Sequence, residues 1–353
     1  MAAFTTIDNP ELFYQTELFT GNASTGHAQT LDGSEDMHPD MVWFKNRDAT
    51  DVPRIYDAVR GATKRLVVTS TAVESDQVNG LQSFNSDGFT VGGNAECNET
   101  GEKIVAWCWK ANGSGSSNTA GSINTTATSA NTTSGFSIIQ FTGSGANATI
   151  GHGLGAAVKC FIVKKIDGGA AYGAKMMHLG IGGPGNTHAF KLDETAVPQD
   201  YDGYWNDTSP TATLISLGAS DHVNSTNENI CYAWAPIQGF SKFGTYVGNG
   251  NADGPFVYTG FRPAWIMTKN TETAKNWQIY DNKRSGHNPD NDQLFANTTA
   301  VEDTAEDALD ILSNGFKIRV NSDPVNLNTD VIAYMAFAEA PFVNSEGVPC
   351  NAR

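Results

Sequence analysis

Little in this sequence of 353 residues carries charge: Asp, Glu, Lys and Arg make up 17%. Basic residues are the scarcer sign, 22 against 38 acidic, for a formal net charge of −16. Such a surface repels phosphate backbones, which argues against nucleic acid as a partner. No Lys or Arg precedes Lys45, so no basic n-region of a secretory leader is expected. Long apolar runs are also missing. The longest, Val331 to Ala338, falls far short of the ~20 residues of a membrane-spanning helix. A chain made in a cytoplasm, with no membrane insertion, is expected. Cysteines are few: Cys97, Cys108, Cys160, Cys231 and Cys350, an odd number without CxxC spacing. A disulfide framework would be denser and paired, so all five read as free thiols. The sequence contains no nucleophile elbow, zinc-protease helix, Walker loop or dinucleotide fingerprint, and no sustained 3.6-residue apolar period.

What the sequence does have is one pattern written three times. An aromatic-x-Gly-x-small turn occurs at Phe19-Thr20-Gly21, Phe141-Thr142-Gly143 and Tyr246-Val247-Gly248. Each turn leads to an apolar strand ending in lysine, at Lys45, Lys164 and Lys269. Each lysine leads to a Thr-Ala-Val triplet, beginning at Thr71, Thr195 and Thr299. Each copy closes on an aromatic-rich strand, ending at Trp109, Trp234 and Phe337. From turn to lysine the spacing is 26, 23 and 23 residues; from lysine to closing aromatic it is 64, 70 and 68. A period near one hundred residues is too long for a solenoid unit and matches a small domain.

Abundant Thr, Val and aromatics favour strands, and the many Gly and Asn supply turns. An all-β chain of three related β-sandwich repeats is predicted. Its parts are an N-terminal arm at 1–18, repeats at 19–111, 136–237 and 238–342, a Gly/Ser/Thr/Asn linker at 112–135, and a C-terminal tail at 343–353. Uncharged and nearly without large aliphatics, the linker reads as flexible. The second and third repeats are expected to pack as a pair. Asp87-Gly88 and Asn314-Gly315 between apolar positions signal hairpins in the first and third repeats; the second repeat has only Thr211 to Gly218 there.

Tyr201, Asp202, Tyr204 and Trp205 form the best recognition candidate, because aromatic faces and neighbouring carboxylates suit a sugar or a protein partner. Asp290 and Asp292, at alternate positions in a polar loop, have calcium-like chemistry without the full EF-hand pattern. Otherwise no cofactor is expected. No carboxylate pair stands out for glycoside hydrolysis, so the chain reads as a non-enzyme, with a depolymerase as the least favoured option. The repeated lysines read as strand-end residues reaching water. Tyr56-Asp57-x-x-Arg60 and Tyr280-Asp281-x-x-Arg284 read as Asp–Arg pairs bracing a turn.

Several segments together carry a resemblance: Gly151-His152-Gly153-Leu154-Gly155 before an apolar strand, Ser313-Asn314-Gly315-Phe316-Lys317, Phe256 to Pro263, Ala336 to Phe342, and the opening Thr5 to Gln15. The sequence resembles, over nearly its whole length, a repeated β-domain family of virion and tail-fibre-like proteins of marine tailed bacteriophages. Val158 stands where that family usually has proline. The resemblance implies tandem jelly-roll sandwiches of the concanavalin or laminin-G kind. It also implies a virion location, and a tail-associated, fibre-like adhesin that attaches to a host-surface glycan. The alternative is a capsid decoration or head-fibre protein bound to other virion subunits. Particles of this kind favour homo-oligomers, and a trimer is expected.

Overall fold

The aromatic closing strands are the spines of the structure, a computed structural model that describes residues 4–168, 173–178, 186–290 and 292–349. Lys103–Trp109, Glu228–Trp234 and Val331–Pro341 each pair antiparallel with two strands of their own repeat. On one side lies the strand entering the glycine turn: Tyr14–Thr20, Phe136–Thr142 or Ser241–Val247. On the other lies the lysine strand: Met41–Asn46, Cys160–Lys165 or Phe261–Asn270. Three large antiparallel sheets of six, seven and five strands result, each drawn from one sequence repeat. Among the described residues three smaller sheets accompany them, and none of the six closes into a barrel.

Side-chain alternation along a strand explains the assembly. Val105, Trp107 and Trp109 point to a central core; Ile104, Ala106 and Cys108 point the other way, into a core of the first repeat. In the second repeat Ile230, Tyr232 and Trp234 face the centre, while Cys231 and Ala233 face that repeat's own core. Trp265, Met267, Met335 and Phe337 complete the centre from the third repeat. The large sheets are therefore buried on both faces, which is why their strands read as apolar runs. Trp109 meets Trp265 edge-on at 5.6 Å and Phe337 at the same distance.

The repeated lysines are not at a wet rim. Lys45, Lys164 and Lys269 are buried, and each reaches the Thr-Ala-Val region of a neighbouring repeat. Lys45 Nζ donates to Thr299 O at 3.2 Å, Lys269 Nζ to Thr195 O at 2.9 Å, and Lys164 Nζ to Ser70 O at 2.7 Å. First repeat to third, third to second, second to first: the contacts close a ring. Burial pushes each of the three ammonium groups down to about 8. Backbone bonds repeat two of the seams, from Glu302 N to Arg47 O and from Glu74 N to Ile166 O. At the matching position the second repeat has Pro198, which has no N–H to give.

The Asp–Arg pairs also serve the seams. Arg60 Nε meets Asp57 at 2.6 Å, and Arg284 Nε meets Asp281 at 2.6 Å. Tyr232 of the second repeat donates to Asp57 at 2.7 Å, and Trp107 of the first to Asp281 at 3.0 Å.

Two segments differ from the sequence reading. Within 112–135, Ala127–Asn131 forms an edge strand paired with Phe136–Thr142. Backbone pairing and buried hydroxyls such as Thr125 and Ser129 order this stretch, so it needs few apolar side chains. The strand Tyr14–Thr20 crosses the arm boundary placed at 18. The hairpins at Gly88 and Gly315 form, Leu81–Phe84 with Phe89–Val91 and Leu309–Leu312 with Gly315–Ile318. The second repeat instead pairs Leu214–Leu217 with Ala148–Gly151. No helix among the described residues is long and apolar enough to cross a membrane.

A candidate carbohydrate-binding hollow

One-turn helices end in a buried asparagine that sets each glycine turn. Asn98, Asn224 and Asn326 close the helices Ala95–Asn98, Asp221–Asn224 and Asp323–Asn326. The Asn224 amide donates to Gly218 O and Ala146 O and accepts from Ser144 N. Asn98 and Asn326 make the equivalent bonds. A Cβ on Gly21, Gly143 or Gly248 would lie 2.1, 2.0 or 2.2 Å from a carbonyl oxygen after that asparagine. The glycine is therefore required by close backbone approach.

In the second repeat this frame holds the candidate site. Four elements meet there: the strand His188–Lys191, the pair Gln199–Asp200, the helix Asp202–Trp205 and the start of the helix Asp221–Asn224. They surround an open hollow of about 560 Å³. Tyr201 is 46% exposed. Its ring lies over Gly203, where an added Cβ would come 2.4 Å from the ring. Tyr204 stands edge-on to Tyr201 at 5.0 Å, and its hydroxyl donates to Gln199 at 3.2 Å.

Of the four residues singled out from sequence, Tyr201 and Tyr204 line the hollow. Asp202 is exposed on the helix but is not part of the lining. Trp205 is turned the other way: it is 1% exposed, packs edge-on against Phe161 at 4.7 Å and donates to His188 O. A ring so enclosed has no face for a ligand. Lys191, Gln199, Ala219, Ser220, Asp221 and His222 complete the wall, and sequence reasoning missed all six. Ser220 had a local signal, as an N-cap accepting from His222 N. Its placement opposite Tyr201 has none. Burial, with Lys175 and Lys191 nearby, pushes His222 down to about 4. At neutral pH its ring is uncharged. The hollow thus offers an aromatic face ringed by hydrogen-bonding groups that are uncharged, acidic at Asp221 and basic at Lys191.

The calcium candidates sit elsewhere, in the third repeat. Asp290 is 1% exposed and accepts from Asp292 N at 3.1 Å. Burial pushes Asp290 up to about 8, opposed in part by Arg284. Asp292 lies 3.5 Å from Arg47. Among the described residues no group of three or more His, Cys, Asp or Glu is placed to hold a metal. Cys97, Cys108, Cys160 and Cys231 are free and buried; Cys350 lies outside the described residues. Burial raises all four thiols, which disfavours the reactive thiolate.

Residues 9–341 match the family model described as a domain of unknown function, DUF7483. The chain belongs to that family. No curated protein matches it.

Proposed function

We propose that this DUF7483 chain is a non-catalytic recognition protein that binds a carbohydrate in the Tyr201 hollow. The observation that carries the reading is the half-exposed Tyr201 ring, seated on Gly203 and ringed by Lys191, Gln199, Ser220, Asp221 and His222. Stacking on an aromatic face with hydroxyls bonded around it is the chemistry of sugar recognition. In this reading the three repeats are tandem jelly-roll sandwiches. The setting is a virion, where the chain acts as a tail-associated or fibre-like adhesin, as its sequence resemblance implies. The alternative, a decoration protein anchored through its N-terminal arm, has less support. Thr5 and Ile7 of that arm are buried, and Thr5 donates to Gln238 O of the same chain.

Glycan-array binding with the wild type and Tyr201→Ala tests the proposal. Binding to a defined set of glycans that Tyr201→Ala abolishes is the expected result. Binding that survives the substitution unchanged would overturn it.

A further inference from the structure

The place of the Tyr201 hollow has a counterpart in each repeat, and the three are built from matching positions. Lysine-strand pairing aligns Arg54, Lys175 and Gln278, opposite Phe44, Val163 and Thr268. The next pairing aligns Arg65, Ala189 and Gln293, opposite Ser75, Gln199 and Asp303. Two residues before the buried asparagines stand Glu96, His222 and Pro324.

In the first repeat these positions plug themselves. Arg54 pairs with Glu96, and Arg65 Nη1 reaches the same carboxylate at 3.0 Å. In the third repeat both arginines are replaced by glutamines and the glutamate by a proline. The plug is gone, and a hollow of about 420 Å³ stands in its place. Gln278 and Gln293 line it, with Phe295, Asp303 and Glu306. Gln278 is 1% exposed, and its Oε1 has no hydrogen-bond partner among the described residues. A buried amide oxygen without a donor is costly. Thr195 of the second repeat also lines the hollow, next to the seam where Lys269 holds its carbonyl.

We propose that the third repeat carries a second carbohydrate site, in this hollow between Gln278, Phe295 and Glu306, and that the chain binds two sugar residues. A ligand hydroxyl supplies the donor that Gln278 lacks, Asp303 and Glu306 accept further hydroxyl protons, and Phe295 offers the ring. Two sites on one body raise avidity for a repeating polysaccharide. The class of ligand rests on the reading of the Tyr201 hollow; the existence of the cavity does not.

The test is titration of the full chain with methyl glycosides of a hexose, an N-acetylhexosamine and a uronic acid, followed by saturation-transfer NMR and calorimetry. Wild type is expected to bind two equivalents of at least one glycoside, and Tyr201→Ala to retain one. Glu306→Ala, at an exposed position, is expected to weaken the retained site at least tenfold. Gln293→Arg with Pro324→Glu, which rebuilds the Arg65–Glu96 half of the first repeat's plug, is expected to remove it. A single equivalent abolished by Tyr201→Ala overturns the second site and leaves the first standing. One equivalent that Tyr201→Ala spares and the plug removes upholds the second site and overturns the first. No binding of any of the three glycosides to the folded wild type overturns both.

Discussion

Lys269 donates to the carbonyl of Thr195 at 2.9 Å across the boundary between two sequence repeats. The same ammonium also donates to Lys275 O and Asn270 O. One buried side chain thereby satisfies three backbone oxygens and fixes the second repeat against the third.

Lys269→Met keeps the apolar stem and deletes the donors. Three carbonyls lose this donor, and the expected loss is at least about 1–3 kcal/mol of stability, since each orphaned buried acceptor costs that much. Urea unfolding measures it; an unchanged midpoint would mean that the contact contributes nothing.

The lysines also set a dependence on pH. In the fold they release their protons near 8, against an ordinary value of 10.5. Between those values the unfolded chain holds more protons, so this contribution makes stability rise with pH. Buried thiols act in the opposite sense from about pH 9, because folding raises them. The clean window is therefore pH 8 to 9. There the wild type should gain stability with a steeper slope than Lys269→Met, as followed by thermal unfolding.

Asp290 has the reverse sign. Its folded value of about 8 lies above the ordinary 3.8, so the stability it contributes is present in full below pH 4 and is lost as pH rises towards 8. Asp290→Asn mimics the neutral form. It should match the wild type near pH 4 and exceed it by roughly 4 kcal/mol at pH 7, about 1.4 kcal/mol for each pH unit between. Equal stabilities at both pH values would refute the assignment.

Trp205 and Tyr201 separate folding from binding. Trp205→Ala empties part of a core and should cost about 3–5 kcal/mol. Tyr201→Ala, at an exposed ring, should change stability by no more than about 0.5 kcal/mol. If the two variants unfold alike, the placement of Trp205 is wrong.

The edge strand Ala127–Asn131 makes its own prediction. Thr126 N donates to Gln140 O and Thr128 N to Ser116 O, so both amides should resist hydrogen exchange. Exchange at the rate of free peptide would restore the flexible reading.

The sequence displayed the strands and the repeat, because spacing and alternation are local. It also displayed Lys45, Lys164, Lys269 and the Thr-Ala-Val triplets, but not that each lysine belongs to another repeat's triplet. That pairing depends on how the sheets meet, which no spacing along one strand encodes. The same holds for the hollow. Tyr201 and Tyr204 stood out by composition, whereas Gln199 and His222 became neighbours only through folding. Trp205 misled because it stood out by composition alone, which is silent on which way a one-turn helix turns each side chain. The uncharged 112–135 stretch misled because composition reports on side-chain burial and is silent on backbone pairing along an open sheet edge.

Closure of the lysine contacts has one further effect. Each repeat gives one surface and receives another, and such head-to-tail joints either return to their start or propagate into filaments. Here the third joint returns to the first. Many copies crowded together find no vacant end through which to polymerise along this seam.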